Sequence, residues 1–289
     1  AVVLVGEILK QAEELIEQGI PISTIEKGFH EARNKTLEVF NDIAITTDKE
    51  ELINIARTSM TGKGSFRNID KMATELVEAL LDVEKDGEID QDMIKIRKIH
   101  GEATEDTEIS ESITVDKNVV ESEMPKDVKN AKIALLQYPI DARELQNDAK
   151  IKLTTPGEYQ SYLDKEAEML KEEVQKIVDS GANVLFNNKK ISDLGQHYLT
   201  KAGILTAKRV KAGDLRRLSK ATGANIVNNV RELTPDDIGE AEHVYEREVF
   251  EDREYIFIEG CKYPGVLNII VRGSTKHVTD QLEQAINDA

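Results

Sequence analysis

Tryptophan is absent from these 289 residues, aromatic side chains make up only 4% of them, and there is a single cysteine, Cys261. One thiol excludes a disulfide framework and a cysteine-based zinc site, and it suits a reducing, cytoplasmic setting. The histidines (His30, His100, His197, His243 and His277) show no metal-ligand spacing, so no metal is expected. His197 reads as a packing or capping residue. No apolar run approaches the roughly 18 residues of a membrane span. The opening Ala1–Val5 is apolar but has no basic flank and no small-residue cleavage site, so it does not read as a signal peptide. It reads as the interior of a helix, as though the chain began inside a larger protein. Basic residues are outnumbered 38 to 55, a formal charge of −17, and no aromatic row offers bases a stacking surface. Nucleic-acid and membrane partners are therefore not expected. The best basic patch, Lys208 to Lys220 with Asp214 as its one acid, reads as a solvated strand-to-helix edge.

What is present is a change of period along the chain. Residues 1–81 read as four helices. Their stripes run through Val5, Ile8, Leu9 and Ile16, then Ile25, Phe29, Val39 and Phe40, then Leu52, Ile55 and Ala56, then Met72, Ala73, Leu76 and Leu80. Gly19 and Pro21 stop the first, and Asp48 with Glu51 forms a capping box for the third. Met93–Ile99 alternates as a strand. From 102 to 127 there are nine acids and two bases, which predicts weak order apart from a short strand at Ile113–Val115 and marks a domain junction.

An α/β unit follows, with strands expected at Ala131–Leu136, Ala149–Leu153, Asn183–Phe186, Ile204–Arg209 and Asn225–Val227. A charged helix from about 157 to 179 carries Tyr159, Leu163, Ala167, Leu170, Val174 and Ile177 on one stripe. At roughly 20 residues it is about 30 Å long, enough to project and touch something else. Shorter helices, Ile191–Ala202 and Gly213–Thr222, each end at a glycine. Three late strands, His243–Val249, Glu254–Ile258 and Val266–Arg272, read as antiparallel, and a last helix begins near Ser274. The simplest arrangement inserts the α/β unit into a helical domain whose two ends pack together, bringing Lys63 near Asp288.

Chemistry is sparse by pattern. Arg57-Thr58-Ser59-Met60-Thr61-Gly62-Lys63-Gly64 has the glycines and lysine of a phosphate loop without being a Walker A sequence. Its plain reading is a helix–helix turn, although a lysine between glycines can reach a phosphate uncrowded. Asp288 falls on the polar face of the last helix, where an aspartate is ordinarily just solvated. Neither a Ser/His/Asp order nor a nucleophile elbow is present.

The ordered set of motifs resembles the group II chaperonins, the archaeal thermosome and its cytosolic eukaryotic relatives. It comprises AVVLVGEIL from Ala1, TSMTGKG from Thr58, MPKDVKNAKIALL from Met124, DAKIKL from Asp148, GANVLF from Gly181 and ISDLGQHYLTKAGI from Ile191. LSKATGANIV from Leu218, LTPDDIG from Leu233, EGCK from Glu259 and IVRGSTKH from Ile270 complete it. Where such chains usually have Ser-Glu-Leu-Val-x-Gly and a His-Pro before Met-Pro, this one has TEISES from Thr107 and ESEMP from Glu121. That departure bears on the hinge.

The resemblance implies a mixed α/β fold: an apical domain (110–263) with a helical protrusion at about 154–180, inserted into a mostly helical intermediate domain (48–109 and 264–289). Residues 1–47 would be a remnant of an equatorial domain. It implies an ATP-dependent folding chaperone that encloses unfolded client proteins under a built-in lid, assembled with sister subunits into a double-ring homo- or hetero-oligomer. Lys63, flanked by Gly62 and Gly64, would sense the γ-phosphate, and Asp288 would activate the attacking water. Tyr159, Tyr162, Leu163 and Leu170 would belong to the lid. Clients would meet Leu215, Arg217, Leu218 and Lys220 on the helix 213–222, together with Asn187 and Asn188, although Leu215 and Leu218 also fit a plain core role. ATP and Mg²⁺ would serve the full-length protein, and neither is expected on this chain alone, because the family's Gly-Asp-Gly-Thr-Thr segment would lie just before Ala1. The rival readings are a stand-alone, ATP-independent peptide-binding module and, resting only on Lys208–Lys220, a nucleic-acid binder.

Overall fold

The structure is a computed structural model that describes residues 2–62, 68–84, 87–101, 103–141, 156–250, 253–263 and 265–289, without the side chains of 156–159 and 161–163. The expected strand Ala149–Leu153 lies outside the described residues. The chain divides into two units, Ala1–Glu51 and Leu52–Ala289.

The first unit is two helices, α1 (Val2–Glu17) and α2 (Ile22–Ile43). Gly19, at φ 85°, ends α1: its N–H donates to the Ile16 carbonyl and that of Ile20 to the Leu15 carbonyl, a Schellman motif with Pro21 behind it. The stripes read from the sequence stay largely bare, since Ile8, Leu9, Phe29, Phe40 and Ile43 are all exposed. The predicted capping box is present at the end of this unit, with Glu51 N–H on the Asp48 carboxylate (2.9 Å) and Asp48 N–H on that of Glu51 (3.3 Å).

The second unit has two sheets. The smaller is β1 (Ile94–His100), β10 (Leu267–Gly273) and β2 (Glu108–Ser110), in the order β1-β10-β2. Helices α3 (Lys49–Met60), α4 (Ile69–Val83) and α8 (Lys276–Asp288) contribute to one cluster with it. Ala56, Met60, Met72, Ala73, Leu76 and Val77 meet Leu267, Ile269 and Val271 and the α8 residues Leu282, Ala285 and Ile286. The two sequence ends of this unit therefore make one core, as the insertion reading expects.

The larger sheet runs β3 (Ser112–Val115), β9 (Arg253–Cys261), β8 (Gly239–Phe250), β4 (Asp127–Leu136), β5 (Val184–Asn187) and β6 (Leu205–Ala207), with β7 (Ile226–Val227) also on β4. The first half of β4 is mostly exposed and pairs antiparallel with β8. Its second half, Ile133–Leu136, is fully buried and pairs parallel with β5 and β7. An apolar run buried on both faces is what a parallel strand between covering helices requires. Three helices belong to this sheet: α5 (Pro156–Asp179), α6 (Asp193–Lys201) and α7 (Ala212–Thr222). Ser192 caps α6 through the Gly195 N–H, and Gly223, at φ 78°, ends α7.

Four sequence expectations need correction. The stretch 102–127 is ordered over its described part: it supplies β2 and β3 and buries Val119 and Met124. One of its acids, Glu108, is met by basic partners from far along the chain, Arg247 and Arg272 at 2.8 Å each. The late strands are not one antiparallel set. β8 and β9 pair antiparallel, but β10 leaves them and runs parallel to β1. α5 does not project over its C-terminal half, where Leu170, Val174 and Ile177 are buried in the large-sheet core. There Glu173 accepts the Tyr138 hydroxyl at 3.1 Å, and burial raises both groups' pKa, Tyr138 to about 12. His197 is exposed rather than packed, its ring tilted against Tyr198.

Candidate functional site

Asp288 is placed by what fixes α8. Thr275 caps the helix through the Val278 N–H, and the Thr279 hydroxyl meets His100 Nδ1 at 3.0 Å. Lys98 of β1 reaches Asp280 (2.7 Å) and Glu283 (2.6 Å) on the outer face. Those two hydrogen bonds hold the lysine above its ordinary pKa, and the same contact holds Asp280 below its own. With Leu282, Ala285 and Ile286 in the core, the 3.6-residue period leaves Asp288 exposed at the helix end. It lines a cleft of about 620 Å³ together with Leu76, Leu80, Lys95, Ile96 and Glu283.

Met60 shares its core with Ile286. Two residues after Met60, Gly62 turns at φ 82°, a conformation few other residues adopt freely. The Gly62 turn and Asp288 thus leave one buried cluster, each two residues from a core side chain. Lys63 and Gly64 lie outside the described residues.

The Asp288 cleft mixes aliphatic and polar side chains, and among the described residues Lys95 is the one cation lining it. These residues do not make a phosphate cradle on their own. Among the described residues no group of three or more His, Cys, Asp or Glu is placed to hold a metal ion. What the carboxylate offers chemically is an exposed acceptor able to orient a water.

The expected client contacts divide. Leu215 and Leu218 are 1% and 0% exposed and belong to the large-sheet core, so they offer no apolar contact to a partner. Asn187 is also fully buried: it donates to the Tyr138 carbonyl and accepts the Lys189 N–H, shaping its own loop. Asn188 is half-buried and donates to the Val210 carbonyl. Arg217 pairs with Asp214 on its own helix, and exposed Lys220 reaches Asp90 at 2.8 Å. The open face of α7 is therefore basic rather than apolar. Leu170, expected in a lid, is 3% exposed in the core. The side chains of Tyr159, Tyr162 and Leu163 lie outside those described.

A further set of residues, not singled out by sequence reasoning, joins the two sheets. Arg97 of β1 is 9% exposed, donates to the Thr114 hydroxyl (2.7 Å) and carbonyl (2.5 Å) of β3, and lies 3.7 Å from Asp214 of α7. Thr114 in turn donates to Asn268 of β10. Desolvation lowers the Arg97 pKa, and Asp214 opposes that shift. The signal was in the alternation. Ile99 shares a strand face with Lys95 and Arg97, so that face is not simply solvated, and the lone acid of the basic patch, Asp214, is the arginine's partner.

No helix among the described residues is long and apolar enough to cross a membrane. A family model described as the TCP-1/cpn60 chaperonin family matches residues 1–289. The thermosome subunit beta of Methanothermobacter thermautotrophicus is 47% identical over 290 residues, covering all of this chain and 54% of that protein. A thermosome subunit of Methanocaldococcus jannaschii is 46% identical over 294 residues, with the same coverage. An open-state monomer of a group II chaperonin from Methanococcoides burtonii superposes with a TM-score of 0.71 at 34% identity, over 99% of this chain and 67% of that one. The chain thus spans about half the length of the thermosome subunits it matches.

Proposed function

The chain belongs to the TCP-1/cpn60 chaperonin family, and from that premise we propose that it supplies the hinge and client-binding parts of an ATP-driven protein-folding subunit. Residues 48–109 and 264–289 are the hinge (intermediate) domain, 110–263 the apical domain that receives unfolded chains, and 1–47 part of an equatorial domain. The observation that carries this reading is the shared core of α3, α4 and α8, from which both the Gly62 turn and Asp288 emerge.

In the working subunit, ATP is the substrate. Asp288 orients the water that attacks the terminal phosphate, and Lys63, between Gly62 and Gly64, offsets charge on the transferring group. The hinge domain carries both residues, so closing it completes the site and swings the apical domain, coupling hydrolysis to enclosure. Mg²⁺ would be bound with the nucleotide by parts of the subunit beyond these residues. Sister subunits complete a double ring, and the assembly works in the cytoplasm. Clients meet the open edge of α7 through Arg217 and Lys220, beside Asn188. The helix Pro156–Asp179 contributes its N-terminal half, with Tyr159, Tyr162 and Leu163, to the lid.

The test uses the 289-residue chain with a guanidine-denatured enzyme diluted into buffer. Added chain is expected to slow the enzyme's aggregation in proportion to its concentration and to show no ATP turnover of its own. Aggregation unchanged at a tenfold excess of chain would contradict the client-binding role. Turnover at the rate of an intact chaperonin subunit would contradict the placing of most of the nucleotide site elsewhere.

A further inference from the structure

Cations from two elements converge on a small cleft, of which the reading above uses only Arg217 and Lys220. Lys95 of β1 and Arg216, Arg217 and Lys220 of α7 line a space of about 220 Å³, with Asp92 the only acid lining it among the described residues. Arg217 is taken by Asp214 and Lys220 by Asp90. Among the described residues Lys95 and Arg216 have neither a hydrogen-bond nor an ion-pair partner. Lys95 is half-buried, and its pKa is lowered first by desolvation and then by the nearby charges of Arg217 and Arg97. A partly desolvated ammonium beside two guanidiniums is unfavourable unless an anion joins it. In a chain of net charge −17 acids are plentiful, yet none among the described residues forms an ion pair with Lys95: Asp214, whose charge opposes the lowering, is shared between Arg217 and Arg97. At the rim, a Cβ added to Gly213 would meet nothing within 4 Å, so approach is open.

We propose that this cleft is an oxyanion site that takes phosphate, free or as the phosphate group of a small ester. Lys95 and Arg216 are its unanswered donors, and Arg217 and Lys220 raise the local positive potential. An anion there bridges β1 of the small sheet to α7 of the large one and fastens the two against each other. Arg217 and Lys220 are shared with the client-binding reading, but Lys95 and Arg216 are not, so variants of those two test this site separately from it.

The experiment is calorimetry on the 289-residue chain at fixed ionic strength, titrating inorganic phosphate in one arm and glucose 6-phosphate in the other. Saturable one-to-one binding is expected in the first arm. Comparable affinity in the second assigns the site to esters as well, and much weaker affinity there restricts it to the free ion. Lys95→Met keeps the aliphatic stem and should weaken binding at least tenfold. Arg216→Gln, on the exposed helix face, should weaken it severalfold, and Lys129→Met on β4 should leave it unchanged. If Lys95→Met loses its far-ultraviolet circular dichroism, Arg216→Gln alone decides. No saturable binding of either probe, or unchanged affinity in the decisive variant, overturns the proposal.

Discussion

The centre of the seven-stranded sheet excludes charge, whereas its contact with the three-stranded sheet is largely made of it. Ile133, Ala134, Leu135 and Leu136 on β4 and Val184, Leu185 and Phe186 on β5 are all 0% exposed and apolar. At the contact, Ile99, Ile270, Tyr255 and Phe257 form only a small apolar cluster. Around it stand Arg97 with Thr114 and Asp214, and Arg272 with Glu108 and the Val249 carbonyl. An apolar interior gains from tight packing and has no alternative partner to exchange. Paired buried ions gain little net stability and depend on geometry. The sheet is thus built to move as one piece, and the seam is the place where movement costs least. Such a seam suits the hinge proposed above between the intermediate and apical domains.

The comparison breaks first at the sheet. Phe186→Ala removes a fully buried ring from β5 and should cost about 3–5 kcal/mol, read as a lower midpoint in urea unfolding. At the seam, Arg97→Met takes the buried donor from the Thr114 hydroxyl and carbonyl and leaves Asp214 with Arg217 alone, and should cost about 3 kcal/mol. The double variant Arg97→Met with Asp214→Leu is expected to recover part of that loss, because two apolar groups replace a desolvated pair while Arg217 gives up its own contact with Asp214. A sheet-like additive loss in the double variant would show that the seam is packed as rigidly as the core.

Acid should loosen the seam before the sheet. Burial alone would raise the Glu108 pKa, but hydrogen bonds from Arg247 and Arg272 outweigh it and hold the carboxyl below 4.5. A depressed carboxyl stabilises the fold above its unfolded pKa, and that contribution is lost as pH falls through the folded value. Exchange protection of the Ile109 and Ile269 amides, corrected for intrinsic rates, should therefore fall between about pH 5 and pH 3, while that of Leu135 and Phe186 holds. Glu108→Gln should flatten this dependence. The smallest effect belongs to the exposed Lys98 contacts: Lys98→Met should cost under about 1 kcal/mol and less still at high salt.

Local chemistry was legible in the sequence and long-range pairing was not. The Gly19 stop, the Asp48 capping box and the Gly223 helix end each follow from a few neighbouring residues. Periodicity also placed α3, α4 and α8 and suggested that they share a core. The parallel pairing of β10 with β1 was not legible, because an apolar strand carries no mark of its partner. The order of 102–127 was missed because acidic composition does not reveal arginines more than a hundred residues away. At the candidate site, Asp288 reads as an ordinary polar-face residue and gains a role only through resemblance. Leu215 and Leu218 fitted either role, since an apolar residue on an amphipathic helix reads the same whether it faces core or partner. The Arg97 cluster was hidden because a strand's alternating charges look solvated until the other sheet is placed against them.

The most direct measurement is ATP turnover by a subunit of the relatives' length carrying this chain with Asp288→Ala. Turnover should fall at least about a hundredfold, while nucleotide binding and retention of a denatured client persist. Turnover equal to that of the unaltered subunit would contradict the role of Asp288 and the hinge coupling built on it.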